Sequence, residues 1–520
     1  MTSLLCISIR FLNPSPVYHG IRDGGEPEWP PSPLRLFQAL VSSATHRWRD
    51  TQFEAYPKLA LEWLQAQGAP AIIAPSHAVG TTFRIAVPNN DLDVVASAWS
   101  KGAEPKKGPS ELKTMKSVLP VHLRGANECE NVIRFLYRVP DGACPHFEVL
   151  QAAARSVTHL GWGIDMVAGN AELLTNEQAA ALPGEVWRAT TDQSGTTLRV
   201  ATEGTLKALL EKHQKFLGRL TDGGFKPVPP LTTFRVVGYR RATEPAPRQF
   251  AAFKILKPDA NGVMSFNPLR QTRVVAGMVR NAVAQAAENQ GWSKEQINVF
   301  VHGKTLDGSN PSSGARSPDR FQYLPLPTIN PKRVELTRRV LIVAPPHCGQ
   351  QAVWARRALA GAELINEDQN IDGLLTILER SDWVLQQYIG DSTTWSTVTP
   401  VILPGFDDPD HLRRKLKNGV DAETQKRYLE KLDSRIDGLI RKAFLQAGFS
   451  SELVTQLEVD WRDIGFRAGA EMASRYLPPE NLNKSPRYHV KVRFPFSVAG
   501  PIAVGNGRFR GFGLMAIHPE

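Results

Sequence analysis

Residues 500–514 read Gly-Pro-Ile-Ala-Val-Gly-Asn-Gly-Arg-Phe-Arg-Gly-Phe-Gly-Leu. They follow closely on residues 488–494, Tyr-His-Val-Lys-Val-Arg-Phe, where apolar and basic residues alternate as in a half-buried strand. Glycine lets a backbone approach a phosphate closely, and arginine and phenylalanine supply charge and a stacking face. Few residues follow this loop, so we do not expect a dinucleotide-binding fold. The pattern predicts either a nucleic-acid-binding loop or, equally well, a hairpin that only closes a sheet.

The composition favours a polyanionic partner. With 520 residues we expect two or three domains, because single cores seldom grow beyond roughly 250–300 residues. The formal net charge is +11, and arginine clusters within residues 235–248 and 332–339. Clustered positive charge is what counterion release from a nucleic acid exploits. The charge pattern therefore predicts nucleic-acid binding.

The sequence carries no sign of a metal site, a cofactor or a membrane segment. Its four cysteines are scattered and form no Cys-x-x-Cys pair, which argues against a zinc ribbon or a disulfide framework. We find no His-x-x-x-His spacing and no P-loop signature. The first eleven residues are too short for a signal peptide, and no apolar run approaches about twenty residues. We expect a soluble, cytoplasmic protein that uses neither metal nor cofactor.

Hydrophobic periodicity predicts an α+β fold of tandem ferredoxin-like (RRM-like) modules in two halves. The glycine- and proline-rich segment 222–230 is the expected linker, which divides the chain into residues 1–228 and 229–520. In the first half we predict strands at 4–11, 71–85 and 131–138, a helix from Leu34, and a second helix at 147–158. In the second half we predict strands at 234–240, 248–256, 322–326, 340–344 and 398–403, helices at 269–289 and 350–364, and a charged helical insertion at 409–447.

Four segments carry a resemblance to a known family. They are Gly-Glu-Pro-Glu-Trp-Pro-Pro-Ser-Pro-Leu-Arg-Leu-Phe-Gln-Ala-Leu-Val at 25–41, Tyr-Leu-Pro-Leu-Pro at 323–327, Trp-Ser-Thr-Val-Thr-Pro-Val-Ile-Leu at 395–403, and the glycine-rich loop 500–514. Together they resemble the CRISPR-associated fusion protein of type I-G (formerly I-U) systems, in which a handle-binding Cascade subunit is joined to a repeat-processing endoribonuclease of the RAMP superfamily. One departure is Trp162, which stands where handle-binding subunits usually carry arginine.

The resemblance implies a division of labour between the halves. Residues 1–228 would hold the 5′ handle of a CRISPR RNA, with Tyr18 and His19 as candidate RNA contacts. Residues 229–520 would cut the repeat transcript and retain its stem-loop. The implied partners are CRISPR RNA and the backbone and large subunits of a type I effector complex, through which the chain would meet target DNA.

Cleavage of RNA without a metal ion needs a base, an acid and cations that stabilise the phosphorane-like charge. Histidine suits proton transfer because its pKa lies near neutrality. Processing enzymes of the superfamily often place a catalytic histidine near the end of the first helix of their first module, where this chain has His302. We predict His302, Lys304 and Tyr323 as catalytic residues. His489, beside the glycine-rich loop, is the second histidine candidate, although in a strand a buried, hydrogen-bonded histidine is the commoner outcome.

The remaining candidates are RNA contacts. Arginines can bind phosphates, and because successive strand residues point to opposite faces, we expect only one of Phe509 and Phe512 to face RNA. The predicted contacts of the second half are Arg316, Arg320, Gly505, Gly507, Arg508, Phe509, Arg510 and Gly511.

Two other functions stay open at the level of sequence. The first is a non-catalytic RNA-binding scaffold of the same complex, in which His302 is structural. The second is a metal-dependent nuclease, which the absence of a dense ligand pattern disfavours.

Overall fold

A computed structural model describes residues 3–22, 25–49, 51–88, 91–104, 113–125, 131–190, 195–221, 224–305, 320–330, 333–346 and 348–519. The chain divides into two compact units, Met1–Ala242 and Thr243–Glu520. Both units mix helices with antiparallel sheets. The predicted α+β class is therefore confirmed.

The first unit contains fourteen strands and seven helices among its described residues. The strands are β1 (Ser3–Phe11), β2 (Val17–Tyr18), β3 (Ala71–Ala74), β4 (Ser76–Val79), β5 (Phe83–Pro88), β6 (Lys113–Val118), β7 (Val121–Arg124), β8 (Val132–Arg138), β9 (Val167–Thr175), β10 (Glu185–Ala189), β11 (Thr196–Val200), β12 (Leu220–Thr221), β13 (Gly224–Phe225) and β14 (Arg235–Arg241). The helices are α1 (Pro33–Arg47), α2 (Thr51–Ala55), α3 (Pro57–Ala66), α4 (Asp91–Ser100), α5 (Phe147–Arg155), α6 (Asn176–Ala180) and α7 (Thr205–Leu217).

A seven-stranded sheet forms the centre of the first unit, in the order β11-β14-β10-β3-β8-β1-β9. Its last four strands, with α1 and α5, follow the chain order strand, helix, strand, strand, helix, strand of a ferredoxin-like module. The alternation of β1 buries Leu5, Ile7 and Ile9 in one core together with Phe37 and Leu40 of α1. This core is what fixes the helix pair on one face of the sheet.

Two expectations for this unit need correction. Residues 71–85 do not form one strand, because the chain leaves the central sheet at Pro75, and β4 and β5 pair in two other sheets. Proline lacks the N–H that a continuing ladder needs. The strand expected at 234–240 forms as β14, but it lies between β10 and β11 in the sheet of the first unit. The compact units accordingly meet after Ala242 and not after residue 228.

The second unit contains ten strands and seven helices among its described residues. The strands are β15 (Phe250–Leu256), β16 (Gln322–Ile329), β17 (Val334–Val343), β18 (Glu363–Ile365), β19 (Ile371–Ile377), β20 (Asp391–Thr397), β21 (Val401–Ile402), β22 (Glu458–Arg462), β23 (Arg487–Ala499) and β24 (Met515–Ile517). The helices are α8 (Pro268–Asn289), α9 (Lys294–Gln296), α10 (Gly349–Ala358), α11 (Trp383–Ile389), α12 (Leu412–Lys417), α13 (Ala422–Gln446) and α14 (Ser451–Thr455). A π-helical turn, Ile297–His302, continues α9.

The second unit holds two further modules. The first has the sheet order β16-β17-β15-β19-β18, with α8 and α10 as its helices, which is again the ferredoxin-like arrangement. Its core is built by Val275, Val279 and Val283 of α8 against strand residues such as Phe253 and Ile342. These three valines recur at helical spacing, so that α8 presents one apolar stripe to the sheet.

The second of these modules has lost one helix. Its strands run β22-β23-β20-β24, and α13 covers one face through Ile436, Ile440 and Phe444. Where the other helix of a ferredoxin-like module would stand, between β23 and β24, the chain forms the glycine-rich turn at residues 500–514. The predicted 409–447 insertion is thus α12 and α13, and α13 is the helix of this module. No helix in the described part of the chain is long and apolar enough to cross a membrane.

Candidate functional site

A cavity of about 610 Å³ lies in the second unit. Its walls come from α8, the π-helical turn, the start of β16, the β18–β19 turn, residues 479–481 and the glycine-rich turn. Arginine dominates its polar lining. The charged and polar side chains that line it are Arg273, Arg280, Asn281, His302, Arg320, Tyr323, Asn366, Glu367, Gln369, Glu480, Asn481 and Arg510.

His302 ends the π-helical turn and is half-buried at the cavity wall. Gly303 follows with a φ of 67°, in the left-handed region that favours glycine. A Cβ at Gly303 would also collide with the side chain of Arg320. The backbone N–H of Lys304 donates to the carbonyl of Asn298 at 2.9 Å and closes the turn. The π-helical turn therefore positions His302 through its backbone, and no described residue donates a hydrogen bond to its ring or accepts one from it.

Burial and nearby charges favour the neutral form of His302. Burial lowers the pKa of His302 below its usual value of 6.5, and the positive charges of Arg280 and Lys304 lower it further. A neutral imidazole at pH 7 can accept a proton. The site therefore suits His302 to the role of general base.

Arg320 and Phe509 join two walls of the cavity. The Cζ atom of Arg320 lies 3.4 Å from the centroid of the Phe509 ring. Nη1 of the same guanidinium donates to the carbonyl of His302 at 3.4 Å. Arg320 thus connects the turn that carries His302 to the glycine-rich turn.

The glycines of the C-terminal turn are explained by contacts within the protein. Gly505 and Gly511 have φ values of 85° and 82°. A Cβ at Gly505 would lie 2.6 Å from the carbonyl oxygen of Ile402, and one at Gly511 would lie 2.6 Å from Cδ of Pro325. At Gly507 a Cβ would meet Phe512. That RNA also contacts these glycines remains a prediction.

The two arginines of this turn have different environments. Arg508 is only 8% exposed, and its guanidinium donates to the carbonyls of Gly505 at 3.1 Å and Gln446 at 2.9 Å. The expectation that Arg508 binds a phosphate is therefore corrected, because its guanidinium is buried and holds the turn against the end of α13. Arg510 is half-buried and lines the cavity.

The two phenylalanines lie in different surroundings, although residues 508–510 form a 3-10 turn and not the strand whose alternation was expected to separate them. Phe509 lines the cavity, whereas Phe512 is fully buried in a small core with Ile402 and Tyr476. Phe509 is itself only 4% exposed, and a contact between its ring and RNA stays a prediction.

The other catalytic candidates occupy the same region. Tyr323 lines the cavity but is almost fully buried, and its hydroxyl donates to the carbonyl of Val301 at 3.1 Å. Burial raises the pKa of Tyr323. Lys304 is half-buried directly after the π-helical turn. Arg316 lies outside the described residues.

His489 is not part of this site. It is fully buried, with Nδ1 at 3.1 Å from the hydroxyl of Thr397 and Nε2 at 2.9 Å from the carbonyl oxygen of Glu471. Burial lowers its pKa to about 4. The structure thus shows the buried, hydrogen-bonded histidine that its place in a strand suggested.

In the first unit, Tyr18 and His19, the predicted RNA contacts, are both buried, and their contact with RNA stays a prediction. Tyr18 is fully buried and donates to Oε1 of Glu28 at 2.6 Å. His19 is 7% exposed, and its Nδ1 lies 2.6 Å from the buried carboxylate of Asp165. That carboxylate also accepts from the backbone N–H of Trp162 at 3.2 Å. Both predicted residues pack the core.

Sequence reasoning missed the cavity side of α8. Arg273, Gly277 and Arg280 line the cavity and are spaced i, i+4 and i+7, so they share one helix face. That basic stripe was visible in the sequence beside the apolar stripe that identified the helix. The residues of the β18–β19 turn, Asn366, Glu367 and Gln369, gave no comparable signal.

Comparison with known protein families shows which family this chain belongs to. A family model described as CRISPR-associated protein, GSU0054 family, matches residues 8–517. The chain belongs to this CRISPR-associated family. No curated protein sequence matches it significantly.

Three solved structures of CRISPR proteins show a weak likeness to this chain. A CRISPR protein from Archaeoglobus fulgidus is 14% identical, with a TM-score of 0.18, over 34% of this chain and 65% of that chain. The CRISPR RNA processing endoribonuclease Cas6b is 10% identical, with a TM-score of 0.21, over 51% and 98%. A Cas6 product complex is 13% identical, with a TM-score of 0.15, over 73% and 100%. Scores this low establish neither the fold nor the chemistry of this chain.

Proposed function

We propose that this chain is a CRISPR RNA-processing endoribonuclease that cuts repeat RNA without a metal ion in the cavity of its second unit. The observation that carries the proposal is the position of His302, a half-buried imidazole of lowered pKa in a cavity walled by four arginines. Membership of a CRISPR-associated family supplies the class of substrate.

In the proposed reaction His302 accepts the proton of a ribose 2′-hydroxyl. The 2′-oxygen then attacks the adjacent phosphorus, and the bond between phosphorus and the 5′-oxygen breaks. The leaving 5′-oxygen takes a proton from a general acid. We assign this role to Lys304, which follows His302 closely in the sequence. The products are a 2′,3′-cyclic phosphate and a 5′-hydroxyl end, so that atoms and charge balance.

The arginines would stabilise the charge that develops on the phosphorane. Arg280 lies close enough to His302 to lower its pKa, and Arg510 lines the same cavity from the glycine-rich turn. Fixed cations in a cavity with limited water access stabilise a transition-state charge more strongly than they would in bulk water. We assign these two residues to the scissile phosphate.

The first unit is proposed to hold the 5′ handle of the same CRISPR RNA, as in the type I-G fusion that the sequence resembles. Its separate ferredoxin-like module supports this division. The chain would then stay on the mature RNA as a subunit of a Cascade complex with backbone and large subunits. The first unit would therefore bind the handle, and the second unit would process the repeat.

A non-catalytic RNA-binding scaffold is the second candidate. One observation favours it: the hydroxyl of Tyr323 is already hydrogen-bonded to the carbonyl of Val301, so it is not available as a proton donor in the state described. As a scaffold, the chain would bind RNA in the cavity, and the lowered pKa of His302 would play no part in catalysis.

Labelled repeat RNA incubated with the purified chain in EDTA separates the candidates. Cleavage at one site, with a 2′,3′-cyclic phosphate product, supports the proposal. A matched RNA with a single 2′-deoxy substitution at the cut site should bind equally and stay intact, because it lacks the nucleophile. Tight binding of the unmodified RNA without cleavage supports the scaffold, and cleavage that EDTA abolishes supports a metal-dependent nuclease.

A further inference from the structure

A second basic cluster lies on the C-terminal sheet, away from the cavity. It consists of Arg462 at the end of β22, Phe466 and Arg467 in the following segment, Lys491 on β23 and His518 after β24. We refer to these five residues as the Phe466 cluster. None of them is among the residues that line the cavity.

The strand register explains why these side chains meet. Lys491 pairs with Asp460 of β22 and with Ser396 of β20. Its neighbours Val490 and Val492 point to the core that α13 covers, so Lys491 points to the opposite face. The side chain of Lys491 is partly exposed on that face.

Two cations lie against the same aromatic ring. The Cζ atom of Arg462 is 4.1 Å from the centroid of Phe466, and Nζ of Lys491 is 5.3 Å from it. The guanidinium of Arg462 also donates to the carbonyls of Ile464 at 3.0 Å and Gly465 at 2.7 Å. These bonds fix the position of the charge without neutralising it.

Arg467 and His518 complete the cluster around Ser396. Nε of Arg467 donates to the Ser396 hydroxyl at 3.2 Å, and its Nη2 donates to the carbonyl of Ile517. Nδ1 of His518 lies 3.0 Å from the same hydroxyl. The cluster thus joins three strands of the sheet and the chain that follows β24.

The cluster carries more positive than negative charge among the described residues. Among the described residues, Asp460, 3.4 Å from Nζ of Lys491, is the one carboxylate within ion-pair distance of its cations. Burial lowers the pKa of His518, and the charges of Arg467, Lys491 and Arg462 lower it further, which reports the positive field. Like charges held together without matching acids are relieved by a bound anion.

We propose that the Phe466 cluster binds a backbone phosphate of an RNA strand, as a contact separate from the cleavage cavity. The two hydrogen-bonded guanidinium groups and the ammonium group of Lys491 suit a phosphodiester, whose oxygens accept from cationic donors. A strand held here would be anchored on the sheet while another part of it enters the cavity. The inference requires RNA as the partner and does not require cleavage.

The salt dependence of RNA binding tests the contact. Lys491→Ala should reduce the slope of log affinity against log salt by about 0.7, with similar weakening for repeat RNAs of different sequence. Lys442→Ala on α13 is the matched control, since it removes the same charge from an exposed lysine outside the cluster. A slope for Lys491→Ala equal to that of the control variant would overturn the proposal.

A second measurement observes the cluster in the wild-type protein. Histidine resonances of the wild-type protein are titrated against pH with and without a single-stranded repeat RNA, and His518 is assigned with His518→Gln. Bound phosphate offsets the charges of Arg462, Arg467 and Lys491, so RNA should raise the pKa of His518. An unchanged pKa at saturating RNA contradicts the proposal, as does a rise with pyrophosphate alone that RNA does not reproduce.

These outcomes are separable from the fate of the cleavage proposal. A chain that binds RNA with the expected salt slope but never cuts it would retain the Phe466 cluster contact and lose the nuclease. A chain that cuts RNA while His518 and the slope of Lys491→Ala remain unaffected would retain the nuclease and lose this contact.

Discussion

The guanidinium of Arg320 lies 3.4 Å above the ring of Phe509. The two residues belong to different parts of the second unit, the start of β16 and the glycine-rich turn. Since Arg320 also donates to the carbonyl of His302, this contact links the proposed catalytic residue to the glycine-rich turn.

Replacing this ring should loosen the cavity. Phe509→Leu keeps an apolar side chain but removes the cation–π contact with Arg320, so we expect the free energy of unfolding to fall by about 1 kcal/mol and RNA affinity to weaken. Phe406→Leu is the control because Phe406 is 65% exposed, and its effect should stay within about 0.5 kcal/mol. Urea denaturation of both variants checks the prediction, and equal effects would remove the role assigned to this contact.

Removing the imidazole of His302 should separate binding from cleavage. His302→Ala is expected to slow single-turnover cleavage by about a hundredfold or more while the dissociation constant changes little, given typical general-base contributions. His213→Ala, an exposed position on α7, serves as the matched control. Cleavage at the wild-type rate by His302→Ala would exclude this residue as the base.

The lowered pKa of His302 determines how the cleavage rate should depend on pH. A general base works in its neutral form, so the rate should rise with pH and level off below pH 6.5, because burial, Arg280 and Lys304 all favour the neutral imidazole. Arg280→Met removes one of these causes and should move the midpoint to higher pH, whatever its effect on the maximal rate. Arg356→Met, which removes an exposed arginine on α10, should leave the midpoint in place.

Two glycine substitutions should act in opposite directions. Gly511→Ala forces a residue with a Cβ into a φ of 82° and against Pro325, so we expect a loss of about 1–3 kcal/mol in unfolding free energy. Gly438→Ala lies in the interior of α13 with open space at the Cβ position, and should stabilise the protein by about 0.5–1 kcal/mol. Thermal unfolding measured on both variants tests the pair. A destabilised Gly438→Ala, or an unaffected Gly511→Ala, would contradict this account of the turn.

His489 should make stability depend on pH. Its pKa is about 4 in the folded protein and near 6.5 when unfolded, so between these values the unfolded chain binds the extra proton. Stability is therefore complete above pH 6.5 and falls as the pH drops towards 4, by about 2 kcal/mol between pH 7 and pH 5. Urea denaturation at both pH values should show this loss reduced in His489→Gln, whose amide can retain both hydrogen-bonding roles. Equal pH dependence of the two proteins would contradict the assignment.

The sequence predicted those elements whose periodicity is strong. The stripe of valines along α8 and the alternation of β1 were sufficient to place both elements, and the resemblance to a CRISPR-associated family was confirmed at the level of the family. Short segments were less tractable. Pro75 redirects the chain between β3 and β4, and local composition does not reveal which sheet a strand joins.

The candidate site was predictable only in part. His302 and the glycine-rich turn were identified as separate motifs, and the structure brings Phe509 and His302 to one cavity. The burial of the other candidates could not be predicted. Tyr18 and Arg508 are residues of types that often bind RNA, but each is buried within its own unit and hydrogen-bonded there. Side-chain burial depends on packing between distant elements, which spacing along the chain does not encode.

The position of β14 bears on how this protein can be dissected in the laboratory. A truncation at residue 228 would take away a strand that is hydrogen-bonded on both sides, leaving β10 and β11 with open edges in the N-terminal fragment and an orphan strand at the head of the C-terminal one. If such halves aggregated, the cause would be the truncation at residue 228 and not an inability of either half to fold. Fragments separated between Ala242 and Thr243 preserve every strand pairing among the described residues, and are the ones with which the proposed handle binding and the proposed repeat cleavage can be assayed apart.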